Sequence, residues 1–123
     1  MKQVLKAFLY SLILACLSLY SVSWFWRNPL QLTIILIIIS VLMLLVRRRK
    51  EDLVLYAIAG IGGAMAESTA IAAGVWDYAI PNFSGVPYWL PFLWGIGAVF
   101  IKIVSLEIDD LFKNRPSSKS RKK

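Results

Sequence analysis

The stretch LQLTIILIIISVLMLLV, residues 30–46, runs for 17 positions without a charged side chain. At about 1.5 Å of rise per residue, a helix of that length crosses most of the ~30 Å hydrocarbon layer of a bilayer. Its β-branched centre, Ile34 to Ile39, would suit a strand in water. In hydrocarbon an open strand leaves backbone N–H and C=O groups without partners, so the segment is expected to be a helix.

Three further apolar segments flank it: about 6–26 before it, then 53–76 and about 88–106 after it. The punctuation between them is polar or helix-breaking: Arg27-Asn28-Pro29, then Arg47 to Asp52, then a longer connection with Pro81, Asn82, Gly85 and Pro87. The fold expected is an all-α membrane protein, a four-transmembrane-helix bundle made of two helical hairpins over residues 1–112. The first hairpin reads as a plain apolar anchor. Residues 113–123 are basic and Ser-rich and read as a disordered tail.

Composition agrees. The chain has 123 residues, 59% of them hydrophobic, and a mean hydropathy of +0.67. A soluble domain this small cannot bury so much apolar surface. The net charge is +7, from 14 basic and 7 acidic residues. Twelve of the 14 fall before or at the start of the first segment, between the second and third, or from Lys113 onward; Arg27 lies on the other side and Lys102 within the fourth segment. That asymmetry orients both termini to the cytoplasm of a plasma or inner membrane. It also assigns the basicity to anionic lipids at the inner loop and tail rather than to nucleic acid.

With one cysteine, Cys16, and no histidine, an intrachain disulfide, a Cys/His zinc site and a Ser-His-Asp triad are excluded. No metal or other cofactor is expected. Glu107, Asp109 and Asp110 lack the spacing of diphosphate-binding acids and are expected to meet water and basic side chains. Ile13-Leu14-Ala15-Cys16 loosely resembles a lipoprotein cleavage site, but the apolar run continues ten residues further, so an uncleaved helix is expected.

The third and fourth segments carry what chemistry there is. Gly60, Gly63, Glu67, Ala70 and Gly74 recur at spacings of 3 and 4, as do Pro91, Gly95, Ala98, Lys102, Ser105 and Asp109. Each set lies on one helical face. Small residues on such faces let helices approach closely, whether within the chain, in a homo-oligomer or against a membrane partner. Glu67 is the candidate catalytic residue, a proton donor, because an intramembrane carboxyl costs ~2.5–3.5 kcal/mol and marks function by default. Lys102 is its candidate partner, about a turn deeper when both are counted from the outer boundary. Asp77 is a further acidic candidate at that boundary. Trp24, Phe25, Trp26, Trp76, Tyr78, Tyr88 and Trp89 form an interfacial belt; Trp76, Tyr78, Trp89 and Trp94 are the candidate ligand contacts.

Glu67, Gly74, Tyr78, Gly85-Val86-Pro87, Pro91 and Trp94 together resemble part of the carotenoid-biosynthesis membrane proteins of the hydratase type. GVWDYAIPNFSGVPYWLP is similar to the small lycopene-cyclase membrane domains. The likeness covers Glu67 to Trp94, less than a quarter of the chain, and Phe92 and Leu93 stand where the cyclase domains carry acids. It implies that Glu67 donates a proton to, or stabilises a carbocation on, a polyene. Three functions are therefore carried forward: handling of an isoprenoid or other lipid-soluble ligand at Glu67, proton-coupled transport by a small carrier, and a non-catalytic membrane assembly subunit.

Overall fold

The structure is a computed structural model and describes residues 2–113. Among them are four helices, α1 (Gln3–Phe25), α2 (Pro29–Arg47), α3 (Lys50–Ala72) and α4 (Leu90–Lys113). Each is long and apolar enough to cross a membrane. The tail expected to be disordered lies outside the described residues except for Lys113, which closes α4.

Local chemistry explains where the helices begin and end. Asn28 caps α2 by accepting the Gln31 N–H, 3.3 Å away, and Pro29 takes the first helical position, where no N–H is needed. The Ile34–Ile39 run is helical throughout. Arg48, with φ 55°, ends α2, and only Arg48 and Arg49 separate it from α3. At the far end of α3, Gly74 adopts φ +82°. Its N–H bonds the Ile71 carbonyl and the Val75 N–H bonds the Ala70 carbonyl, both at 3.0 Å, the paired bonds of a Schellman motif. α3 thus stops at Ala72, short of the expected Trp76. α4 instead outruns its expected end at Leu106 to reach Lys113, because hydropathy fades where the helix leaves the apolar layer while the backbone hydrogen bonds continue.

α4 is the central helix, packed against the other three. α3 lies mainly against α4 and touches α2 lightly, and α1 packs on α2 and α4. The core is one face of α2, Leu32, Leu36 and Met43, against one face of α4, Ile96, Val99 and Ile103. The first helix is more than an apolar anchor. Ser11, Ser18 and Ser21 are buried, and each hydroxyl donates to a carbonyl three or four residues back, on Phe8, Ala15 and Leu17. Small and internally satisfied, they form a seam that lets neighbours approach. Where α3 touches α2, the Tyr56 hydroxyl donates to Ser40 Oγ, which donates to the Leu36 carbonyl at 2.7 Å.

The α2–α3 link is held by Arg47, whose Nη1 lies 3.3 Å from Asp52 Oδ1. The Asp52 side chain is only 1% exposed. Removing one partner of a buried pair leaves an uncompensated charge, so Arg47→Ala is expected to cost about 3 kcal/mol. Equilibrium unfolding in mixed micelles checks this; a variant as stable as the parent would show that the pair does not hold the link.

Candidate functional site

Glu67 lies on α3 and faces side chains from two other parts of the chain. The first is the α3–α4 connection. Phe83 and Val86 pair through reciprocal N–H to C=O bonds of 2.9 Å, and the two residues between them, Ser84 and Gly85, both have positive φ, 50° and 83°. This is the mirror-image turn that closes a tight hairpin. The Ser68 hydroxyl donates to the Ser84 carbonyl at 2.8 Å, and Gly85 lies against Ile71. The loop is thereby folded back along α3, and Asn82 Oδ1 accepts the Tyr88 N–H at 3.0 Å to fix its exit. In that position the Tyr78 hydroxyl donates to Glu67 Oε1.

The second part is α4. The Trp94 indole N–H donates to Glu67 Oε2. Its ring reaches there because it lies across Gly63, one turn from Glu67 on the same face; a Cβ on Gly63 would stand 2.2 Å from the ring. Gly60 against Pro91, and Gly95 beneath the Tyr56 ring, make the same close approach. The small-residue faces expected on the third and fourth segments therefore meet at Gly60–Pro91 and through the Trp94 and Tyr56 rings, while Ala98, Lys102 and Ser105 border open space instead. Gly74 does not belong to them: it lies beyond the helix and is exposed.

Trp89, 6% exposed, packs edge-to-face with Tyr78, with centroids 6.1 Å apart and planes at 89°, the favoured quadrupolar arrangement. Burial, and then the hydrogen bond to Glu67, push the Tyr78 hydroxyl pKa well above its ordinary value. The phenol is thus held in its donor form.

These groups border a cavity of about 830 Å³ between α3 and α4. Of the seven candidate residues, Glu67, Tyr78, Trp89, Trp94 and Lys102 line it, together with apolar side chains such as Leu55, Leu93 and Ile101. Trp76 and Asp77 are exposed on the loop and do not line it.

Lys102 shares the cavity but makes no ion pair with Glu67; among the described residues the carboxyl is held by Tyr78 and Trp94 instead. The reason is register. Because the loop folds back beside α3, α4 starts deeper than a symmetric hairpin would place it, and Trp94 meets Gly63. Lys102 is eight residues beyond Trp94, about 12 Å, while Glu67 is a turn, about 6 Å, in the opposite direction. About 18 Å of helix axis by this contact, and about 27 Å by the Gly60–Pro91 and Gly95–Tyr56 contacts, separates the two, beyond the reach of a lysine. At the same end of α4, Asp110 pairs with Lys2 at 3.5 Å, as expected for an acid beside the basic N-terminal segment, but Glu107, expected to meet water, is buried in the bundle instead.

Several contributors are inconspicuous in the linear chain. Gly63 reads as one small residue among many, yet it is the seat of Trp94. Ser68 and the Ser84-Gly85 turn carry no chemistry themselves, yet they bring Tyr78 to Glu67; the Ser-Gly pair between Phe83 and Val86 is the one local signal that marks the turn. Comparison of the chain with protein-family models, with curated proteins and with solved structures gives no match.

Proposed function

We propose that this is a small integral membrane protein that binds a lipid-soluble ligand, of the isoprenoid class, in the cavity between α3 and α4. Glu67 is the polar group that acts on the ligand. One observation carries the reading: an apolar cavity of about 830 Å³ converges on a carboxyl whose two oxygens are held by Tyr78 and Trp94. Such a volume is within the usual range for small-molecule sites, which pair apolar walls with a few placed polar groups. The charge asymmetry supports an arrangement of two hairpins with both termini cytoplasmic.

The chemistry this arrangement supports is acid catalysis on a C=C bond. The Glu67 O–H proton passes to an alkene carbon, and the π electrons form the new C–H bond, leaving a carbocation on the adjacent carbon. Tyr78 and Trp94 donate to the carboxylate left behind. The aromatic faces of Trp89 and Trp94 stabilise the cation. Loss of a proton from a neighbouring carbon back to Glu67 restores the acid and yields a rearranged alkene. No redox cofactor enters that balance.

The test is solvent isotope transfer. The full chain in lipid nanodiscs made with deuterated water is expected to place deuterium into an acyclic polyene at the former double bond. Glu67→Gln keeps the size of the side chain and one accepting oxygen but has no acidic proton, so incorporation should fall by at least about 10²-fold, the scale of a lost general acid. Equal incorporation in the two proteins would sink the reading.

A second reading, proton-coupled transport, has one observation in its favour. Tyr78 and Trp89 also border a separate cavity of about 470 Å³ that reaches Val22 of α1 and Trp26 just beyond it. Substrate-driven proton flux in liposomes, without chemical change in the substrate, would favour it.

A further inference from the structure

The cavity does not end at Glu67. It continues along one face of α4, past Ala98 and Ile101, to Lys102 and Ser105. From Trp89 to Ser105 is 16 residues, about 24 Å along the helix. Half of a ~30 Å hydrocarbon core is about 15 Å. The groove is thus longer than one leaflet is deep, and the tail of an ordinary lipid confined to its leaflet would leave part of it empty. Trp94 and Ile101 are 41% and 63% exposed, so the groove opens on the outer flank of the bundle, where a chain can enter sideways from the bilayer.

Its two ends differ in charge. At one end Glu67 is already satisfied by Tyr78 and Trp94. At the other, Lys102 is exposed and takes part in none of the ion pairs found among the described residues, which are Lys2–Asp110, Arg47–Asp52 and Arg49–Glu51. Ser105 gives its hydroxyl proton to the Lys102 carbonyl at 2.8 Å, so the charge at this end is the ammonium itself. A compact ammonium is a point-charge partner for a phosphate or carboxylate.

We propose that the groove holds a single long-chain lipid with an anionic headgroup, a monophosphate on an isoprenoid chain, its head on Lys102 and its tail end at Glu67. This rests on the reading of the cavity as a ligand site and adds polarity and length to it. The axial separation of about 18–27 Å between Lys102 and Glu67 then acts as a ruler. The headgroup is pinned at one end, so this distance fixes which double bond lies beside the carboxyl, and a chain that is too short does not reach it.

The experiment measures binding to the full chain in phosphatidylcholine nanodiscs. The probes are geranylgeranyl phosphate, geranylgeraniol, farnesyl phosphate and inorganic phosphate. Geranylgeranyl phosphate is expected to bind about tenfold or more tightly than the alcohol of the same chain, the scale of one charge-assisted contact. It should also bind more tightly than the shorter farnesyl phosphate. Lys102→Gln should abolish the phosphate preference, while Lys102→Arg keeps it. Because Lys102 is exposed, neither substitution burdens the fold.

Equal affinity for phosphate and alcohol, or a preference that survives Lys102→Gln, overturns the proposal while the cavity reading stands. Binding of neither lipid overturns both. Inorganic phosphate competing as strongly as the lipid would make Lys102 a free-anion site and overturn the lipid assignment. So would a second copy of the chain seated on Ile101 with lipid excluded, detected by cross-linking.

Discussion

Gly63→Ala is expected to destabilise the bundle by about 3 kcal/mol, whereas Gly62→Ala, one residue earlier, is expected to stabilise it by up to about 1 kcal/mol. The two glycines share a helix and a composition but not an environment. A Cβ on Gly63 would lie 2.2 Å from the Trp94 ring, while nothing lies within 4 Å of the corresponding position on Gly62. Overpacking of that kind costs about 1–3 kcal/mol. Displacing the indole also breaks its bond to the Glu67 carboxyl and leaves a half-buried polar group without that partner, a cost of about 1–3 kcal/mol. The gain in helix propensity, at most about 1 kcal/mol, offsets only part of this. At Gly62 the propensity gain stands alone.

Equilibrium unfolding in mixed micelles gives both signs, and a double-mutant comparison isolates the cause. In a Trp94→Ala background the ring is absent, so Gly63→Ala should become neutral or stabilising. If it stays as damaging there, the Trp94 seat is not what Gly63 provides.

Gly85→Ala is expected to cost about 2–4 kcal/mol and to weaken ligand binding at least about tenfold, against about 1 kcal/mol and little change in binding for Gly74→Ala. Both glycines have nearly the same backbone conformation, φ +83° and +82°, so both lose about 1–2 kcal/mol when a side chain is forced into the left-handed region. They differ in surroundings. A Cβ on Gly85 would lie 2.8 Å from Ile71 Cγ2, but Gly74 has open space. The clash pushes the turn off α3 and strains the Ser68–Ser84 bond. That turn positions Tyr78 against Glu67, so the damage extends to the cavity wall. Binding of a fluorescent isoprenoid alcohol to the two variants, alongside their unfolding curves, separates the shared backbone cost from the loss peculiar to Gly85. Equal binding loss in both would remove the loop from the site.

These two pairs also show where linear reading stops. Glu67 stood out because a carboxyl in an apolar helix is costly anywhere, a property of one residue and its neighbours. Gly62 and Gly63 are indistinguishable by the same standard, since what separates them is a ring 31 residues away. Lys102 was legible as a second intramembrane charge, but its pairing with Glu67 was not. Axial distance between residues on two helices depends on where the connection turns, and here the connection folds back along α3.

The run at residues 30–46 determined that this chain makes helices long and apolar enough to span a bilayer. So did its three companions, because apolar length and the need to satisfy the backbone are local quantities. The small-residue faces and the candidacy of Glu67 followed from helical periodicity. Only the tertiary structure made α4 the central helix, gave α1 a serine seam and placed Tyr78 and Trp94 on the carboxyl. It also drew Lys102 about 18–27 Å away along the same groove. Those outcomes depend on register and on a loop that folds back on α3, and both are decided by contacts between residues distant in the chain.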